Sequence, residues 1–204
     1  MKLLSLLFVM VMLVSCVGSF NRLGSYQYTH RDVYTGIGRT IPIWVDVRFG
    51  EADQISIDDA VNQWNYALNG YIKLDIVDSS FDMESSKIDE QRRLNGWLIM
   101  KIDSKSKFVP ESAKPGTVVL GFVNEIGGNY LYLVRDRIGN NDVFGIMLHE
   151  LAHLLSAKHN DDGLMYPIYT RAGFQCIDYN ALNEVAEAEK LPMERLNYCI
   201  NEKM

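Results

Sequence analysis

Alternating apolar and polar positions mark the start of the globular part of the chain. Residues 41–49 (IPIWVDVRF) alternate as a strand does, with a proline near the strand start. Residues 56–69 (SIDDAVNQWNYALN) instead repeat apolar side chains at helical spacing, with Ser56 as a suitable N-cap. Gly70 is a suitable C-terminal stop. The pattern predicts a strand and then a helix whose apolar stripe, including Trp64, faces the core.

Four further apolar runs predict strands. They occupy residues 71–77, 97–102, 117–123 and 130–135, and a closing helix is predicted for residues 178–190. The charged stretches between the strands, residues 78–96 and 103–116, predict surface loops.

An almost wholly apolar segment begins at Val143 and predicts a buried helix. Its polar residues, His149, Glu150 and His153, are costly in a dry core unless they are paired or coordinate an ion. The two histidines are four residues apart, so they share one helix face and can grip one metal. Glu150 is placed to act as general base on a water that the metal activates.

A third histidine follows shortly after the first two. A catalytic zinc takes three protein ligands and keeps one open position, and His159 lies ten residues after His149. Met165 comes six residues later. HExxH alone recurs by chance, whereas HExxH with a third histidine and a downstream methionine is a much more specific pattern.

These residues carry a resemblance to a known family. HELAHLLSAKH resembles the metzincin pattern HExxHxxGxxH, and GLMYP resembles the Met-turn that follows it, most closely in matrixins. The resemblance implies an α+β fold: a mixed, mostly parallel twisted sheet of about five strands, an active-site helix, a Met-turn and a C-terminal helix. It implies one catalytic zinc ion bound by the three histidines, Glu150 as the catalytic base and Met165 as a hydrophobic floor beneath the metal.

The same resemblance suggests the substrate cleft. Pro167 and Tyr169 match the Pro-x-Tyr stretch that walls the specificity pocket in matrixins. Strand 117–123 is expected to form the cleft edge, with Gly121 and Asn124 near an extended substrate.

The chain departs from the family pattern at Ser156, where the family usually has glycine. A non-glycine residue in a left-handed conformation costs roughly 1–2 kcal/mol, and the change bears on where His159 is placed. Another class of zinc hydrolase takes a glutamate from a later helix, and Glu184, Glu187 and Glu189 lie on the predicted closing helix. A solvated acidic helix face is the preferred interpretation of these three residues.

The leading hypothesis is a zinc-dependent endopeptidase acting on a peptide or protein substrate. A non-catalytic surface protein that uses the same fold to bind a peptide, glycan or protein partner is the alternative. A hydrolase of non-peptide amides shares the same site and stays open.

The N-terminus predicts export. Residues 1–15 resemble a lipoprotein-type signal peptide, and Cys16 ends a segment that resembles a lipobox, so lipidation at this cysteine is expected. The expected localisation is a bacterial cell envelope or outer surface, and a simple secretory signal is the alternative. Residues 16–40 are predicted to form a tether and entry segment, and residues 41–204 the catalytic domain.

Charge limits the partners. The net charge of −6 argues against nucleic-acid binding and gives no polybasic membrane patch, so membrane contact is expected through the lipid alone. A monomer is expected.

Few histidines and cysteines are left for other sites. In an exported protein Cys176 and Cys199 suggest a disulfide, with two free thiols as the alternative. No upstream cysteine suits a latency switch. His30 is the sole spare histidine, so a second, structural zinc is not expected. Calcium held by backbone carbonyls and aspartates is not indicated but stays open.

Overall fold

The computed structural model describes residues 27–81, 96–111, 115–171 and 175–200. Within these ranges the chain forms a mixed α/β fold. The strands are β1 (Arg39–Asp46), β2 (Ile72–Phe81), β3 (Trp97–Ile102), β4 (Gly121–Val123) and β5 (Tyr130–Val134). The helices are α1 (Glu51–Leu68), α2 (Val143–Leu154) and α3 (Tyr179–Glu189).

The strands form one mostly parallel sheet in the order β2-β1-β3-β5-β4. β1 pairs in parallel with β2 and β3, and β3 pairs in parallel with β5. β4 is antiparallel to β5 and lies at the sheet edge. The five-stranded, mostly parallel sheet predicted from the sequence is therefore confirmed, and β4 has no second strand partner among the described residues.

The core lies between the sheet and the helices α1 and α2. All twelve residues of α2 are buried, as its nearly continuous apolar sequence predicts. Trp64 of α1 is fully buried, and its Nε1–H donates a hydrogen bond of 3.0 Å to the carbonyl oxygen of Leu148 in α2. The helix that carries the metal motif is thus fixed within the core rather than lying on the surface.

Helix α1 begins five residues earlier than the sequence prediction. It starts at Glu51 after Gly50, and its first turn contains Glu51 and Asp53, whose charge suits the positive helix N-terminus. Ser56 is therefore not an N-cap. It lies inside the helix, where its hydroxyl donates a hydrogen bond of 3.0 Å to the carbonyl oxygen of Ala52.

The predicted strand 117–123 is strand only from Gly121 onward. Just before it, Leu120 O still accepts from the N–H of Val134 in β5 at 2.8 Å, in continuation of the β4 register. Val119 O instead accepts from Nη1 of Arg137 at 3.0 Å. β2 is longer than predicted because pairing with β1 continues to Phe81. It takes up the start of the predicted loop 78–96, and residues 82–95 of that loop lie outside the described ranges.

Both ends of the described chain pack together. The N–H of Thr29 donates to the carbonyl of Tyr198 at 2.9 Å, and the N–H of Ile200 donates to that of Gln27 at 2.7 Å. Cys176 and Cys199 form a disulfide with their Cα atoms 6.1 Å apart. The described part of the predicted tether, residues 27–38, therefore lies against the domain.

The predicted signal peptide and Cys16 lie outside the described residues. Among the described helices, none combines the length and apolar character needed to cross a membrane.

Candidate metal centre

His149 and His153 bring two imidazoles to one point from successive turns of α2. Their rings are nearly perpendicular, and their Nε2 atoms are 3.1 Å apart. The helix is rigidly packed, so these two side chains form the fixed half of the site.

The chain then turns sharply and returns the third histidine. The N–H of Ser156 donates to His153 O at 3.0 Å and the N–H of Ala157 to Ala152 O at 2.9 Å, which is the Schellman helix ending. Ser156 has a φ of 71°, the left-handed conformation expected at this position. After this turn Nε2 of His159 lies 3.2 Å from Nε2 of His149 and of His153. Serine at the usual glycine position therefore does not prevent the three rings from meeting.

Backbone carbonyls fix the tautomers of the two helix histidines. His149 Nδ1 is 2.6 Å from the carbonyl oxygen of Leu164, and His153 Nδ1 is 2.8 Å from that of Ala157. A carbonyl can only accept, so each Nδ1 carries the proton and donates it. In a neutral ring, Nε2 then presents a bare lone pair to the centre of the cluster, as in metal sites whose ligands are oriented by outer hydrogen bonds.

Burial keeps these rings neutral. Desolvation, reinforced by the neighbouring His153, lowers the pKa of His149 to about 3 despite the hydrogen bond to Leu164. Desolvation likewise lowers the pKa of His153 to about 4, and that of the more exposed His159 falls for the same reason. The 3.1 Å contact between His149 and His153 is thus between two lone pairs, an arrangement that a cation between them makes favourable.

The donor set fits zinc in number, chemistry and spacing. The three histidines form the metal-ligating cluster found among the described residues. Zinc–nitrogen bonds of ~2.0–2.1 Å at tetrahedral angles require nitrogens roughly 3.3 Å apart. The observed separations of 3.1–3.2 Å match this with little adjustment. Three imidazoles leave a fourth position open toward the cleft.

Glu150 is a buried carboxyl beside this cluster. Its side chain lines the same cleft as the three histidines, and its Oε2 has no hydrogen-bond partner among the described residues. Burial raises the pKa of Glu150 to about 8. A Cβ on Gly121 of β4 would lie only 2.9 Å from its Oε1, so the edge strand approaches this carboxyl closely because residue 121 is glycine. A buried carboxyl kept free of partners is suited to proton transfer.

Met165 ends a single 3-10 turn, Gly163–Met165, and is fully buried. The residue before it contacts the site directly, since Leu164 O accepts from His149. The N–H of Leu164 donates to Asp178 Oδ2 at 2.7 Å, and Asp178 Oδ1 also caps α3 by accepting from Ala181. Asp178 thus holds the turn whose carbonyl orients a predicted ligand, while the role of Met165 as a floor stays a prediction.

The cleft has a volume of about 830 Å³ and runs between two segments over α2. One wall contains residues 116–123, and the other contains residues 166–169, with Ile146 of α2 between them. Gly121, Pro167 and Tyr169 line it as the resemblance suggests. Asn124 lies outside the lining and closes the turn after β4, with Oδ1 accepting from the N–H of Tyr130 at 3.0 Å. Its expected place beside the substrate stays a prediction.

The second wall is held to the start of α2. Tyr169 Oη donates to Asp142 Oδ1 at 2.9 Å, and Arg171 Nε donates to the same oxygen at 2.8 Å. Burial, followed by this hydrogen bond, raises the pKa of Tyr169 to about 12. Arg171 and then Tyr169 lower the pKa of Asp142, so the carboxylate is charged at neutral pH.

The residues considered as alternative metal ligands lie outside the histidine cluster. Glu189 pairs with Arg39 at 2.8 Å, Glu187 accepts from Asn183 at 2.8 Å, and Glu184 of the same helix is not in the cluster. His30 Nδ1 is 2.7 Å from the hydroxyl of Tyr66.

Two residues that shape the site had no distinctive sequence signal. Asp142 and Asp178 each precede a helix, where aspartate is common as an N-cap, and only the tertiary contacts reveal their second partners.

Comparison with known proteins adds a resemblance at the level of architecture. No protein-family model matches the chain, and no curated protein sequence matches it. Among solved structures it is similar to the crystal structure of metalloproteinase-II from Bacteroides fragilis, with 20% identity and a TM-score of 0.48. The match covers 78% of this chain and 56% of that one, so the chain spans little more than half of its neighbour's length. These values are too low to carry a functional conclusion, which has to come from the geometry of the three histidines.

Proposed function

We propose that the protein is a zinc-dependent endopeptidase. One observation carries the proposal: three converging imidazole nitrogens line one cleft together with a buried carboxyl whose Oε2 has no partner among the described residues, and the cleft lies beside the edge strand β4. A purely structural zinc site closes its fourth position with a protein ligand and needs no such carboxyl.

The metal that this donor set favours is zinc. Neutral imidazoles suit zinc, and the three-histidine, one-open-position arrangement is that of catalytic zinc sites. The chemistry that zinc supplies in such sites is acidification of a water molecule and polarisation of a carbonyl group.

The residues of the chain perform the remaining steps. Glu150 lies beside the histidines, accepts the proton from the attacking water and returns it to the amine that leaves. His149 and His153 keep their geometry because Leu164 and Ala157 accept from their Nδ1–H groups. Gly121 leaves the Glu150 carboxyl its space, because a Cβ at residue 121 would lie 2.9 Å from Oε1.

Substrate binding is proposed to use the outer edge of β4, which no other described strand pairs with. An extended peptide can pair with such an edge through main-chain hydrogen bonds. The cleft is mostly apolar, no lysine or arginine of the described residues lines it, and Glu111 adds a carboxylate. This lining favours apolar peptide segments and disfavours acidic ones.

The family to which the peptidase belongs is proposed from the sequence resemblance. We propose a metzincin of the matrixin-like group, with Met165 as the floor beneath the metal and Pro167 to Tyr169 as the specificity wall. The left-handed helix ending at Ser156 supports this, since it brings His159 within 3.2 Å of the His149 ring nitrogen.

Export and anchoring are a separate proposal. The signal-like N-terminus and Cys16 support a lipoprotein of a bacterial envelope that contacts the membrane through lipid and acts as a monomer. Labelling of the expressed chain with a radioactive fatty acid, lost in Cys16→Ser, is the expected result. Equal labelling of both proteins would contradict it.

The activity is tested with a diverse peptide library. The purified chain should cleave a subset of peptides, lose cleavage on chelation and regain it with added zinc. His159→Ala should lower zinc affinity and cleavage together. A folded protein that binds one zinc ion but cleaves no peptide would favour the non-catalytic binding protein.

A further inference from the structure

Asp142 stands at the start of the helix that carries the metal motif, yet it does not cap that helix. It is the N-cap residue of α2, and its side chain makes no capping hydrogen bond. An aspartate at this position normally accepts from a backbone N–H of the first turn. The carboxylate is therefore directed elsewhere.

Both carboxylate oxygens of Asp142 accept hydrogen bonds from the cleft wall. Oδ1 accepts from Tyr169 Oη at 2.9 Å and from Arg171 Nε at 2.8 Å, and Oδ2 accepts from Arg171 Nη2 at 3.2 Å. The Asp142 side chain is 16% exposed and that of Arg171 is 66% exposed, so the ion pair is shielded from water on the carboxylate side only. A Cβ on Gly139 would lie 2.5 Å from Oδ2, and this glycine leaves the carboxylate its space.

This contact joins the wall to the element that holds the ligands. Along α2, Asp142 is one turn from Ile146, which lines the cleft, and two turns from Glu150, about 12 Å along the axis. Because α2 is wholly buried, it moves little relative to the core. The wall position is thereby fixed relative to the metal ligands.

We propose that Asp142 is a specificity-determining positioning residue, which fixes the width of the cleft between α2 and the wall at Tyr169. Asp142 does not touch the reacting atoms. It holds the wall so that an apolar substrate side chain of limited size fits between Tyr169 and Ile146. This inference rests on the proposed peptidase function and adds a determinant of its selectivity.

Loss of Asp142 should therefore affect substrate binding but not the chemical step. Without the hydrogen bonds to Asp142, the wall at Tyr169 moves further from α2 and the cleft widens. Larger apolar side chains are then accepted, and the preferred ones bind less tightly. The three histidines and Glu150 stay in place on α2 and in its following turn. Loss of Asp142 should change KM and cut-site choice while leaving kcat and zinc affinity near those of the wild type.

The test compares cut-site profiles and kinetics of four variants with the wild type. Asp142→Ala removes all hydrogen bonds between Asp142 and the wall. Tyr169→Phe removes the hydrogen bond from the tyrosine hydroxyl while keeping the ring, and Arg171→Ala removes the charged partner. The matched control is Arg39→Ala, which removes another arginine ion pair of the same 2.8 Å length, whose acidic partner is also 16% exposed.

Asp142→Ala and Arg171→Ala should broaden the accepted side chains and raise KM for preferred peptides on the order of tenfold. Tyr169→Phe should give a smaller change in the same direction, and Arg39→Ala none. Zinc affinity, measured by chelator competition, should be unchanged in all four. Arg171→Ala keeps the test valid should Asp142→Ala fold poorly.

Two results overturn the inference. One is a wild-type profile and KM in both Asp142→Ala and Arg171→Ala. The other is an equal shift in Arg39→Ala, which would reflect general loss of stability. Absence of cleavage by the wild type would instead remove the peptidase function itself, so the two failures are distinguishable.

Discussion

Leu164 and Asp178 are joined by a hydrogen bond of 2.7 Å from the Leu164 N–H to Oδ2 of the carboxylate. The carbonyl of the same leucine accepts from Nδ1 of His149 at 2.6 Å. The closing helix is thereby connected to a histidine of the candidate metal centre through one peptide unit, because Asp178 also precedes that helix as its N-cap.

Removing Asp178 should therefore weaken both the fold and the metal centre. Asp178→Ala loses the α3 cap and leaves the buried N–H of Leu164 without an acceptor, at a cost of about 2 kcal/mol in unfolding free energy. Asp178→Asn keeps one acceptor oxygen, so its loss of unfolding free energy should be about half as large. Zinc affinity should fall by roughly tenfold or more in Asp178→Ala. Denaturant unfolding and chelator competition measure the two effects.

The control for this change is Asn183→Ala on the same helix, which removes a side chain bonded to Glu187 rather than to the Met165 turn. Unchanged zinc affinity in Asp178→Ala would show that Leu164 holds its position without the aspartate.

Gly121→Ala should impair catalysis without impairing metal binding. The added Cβ would lie 2.9 Å from Cγ and Oε1 of Glu150, and residue 121 has no positive φ, so the contact rather than backbone strain is the cause. Displacement of Glu150 should lower kcat on the order of tenfold or more. Gly50→Ala is the control, since its Cβ meets no atom within 4 Å. A wild-type kcat in Gly121→Ala would mean that Glu150 has more freedom than the structure indicates.

Gly127 and Ser156 should behave as a coupled pair. Both have left-handed backbones, the N–H of Gly127 donates to His153 O at 2.8 Å, and a Cβ on Gly127 would lie 2.8 Å from Ser156 Oγ. Gly127→Ala should cost about 1–2 kcal/mol of stability from φ strain alone. The contact with Ser156 should add about 0.5–1 kcal/mol to this destabilisation, and that addition should vanish in a Ser156→Gly background. A strictly additive double mutant would refute the coupling.

Acid should remove the contribution of Asp142 to stability. Its pKa is lowered below the ordinary value of 3.8, chiefly by Arg171, so the folded state favours the charged form. The stabilising contribution is therefore complete above pH 3.8 and is lost as pH falls through the lowered pKa. The difference in unfolding free energy between wild type and Asp142→Asn should be constant near neutral pH and shrink in acid. A difference that grows in acid would contradict the sign.

The order of the elements and the clustering of the three histidines were predictable because their signals are local. Strand β3 has the bounds that its apolar run predicts, and spacing alone places His149 and His153 on one face of a buried helix. The return of His159 follows from a turn encoded within a few residues.

The contacts that position the site were not predictable, because they join residues far apart in sequence. Asp142 meets Arg171 and Asp178 meets Leu164 through tertiary packing, and an aspartate before a helix is first interpreted as a cap. Residues 118–120 are apolar as a strand is, but the Val119 carbonyl accepts from the side chain of Arg137, a tertiary contact that periodicity does not reveal.

The most direct test of the account replaces Glu150 with glutamine at matched zinc occupancy. Turnover of a peptide that the wild type cleaves should be compared for the two proteins, each with one zinc ion bound. Because glutamine cannot accept the proton, kcat should fall by roughly 10²–10⁴-fold while zinc affinity stays at the wild-type value. Cleavage by Glu150→Gln at the wild-type rate would contradict the proposal that this carboxyl and the three histidines form a hydrolytic centre.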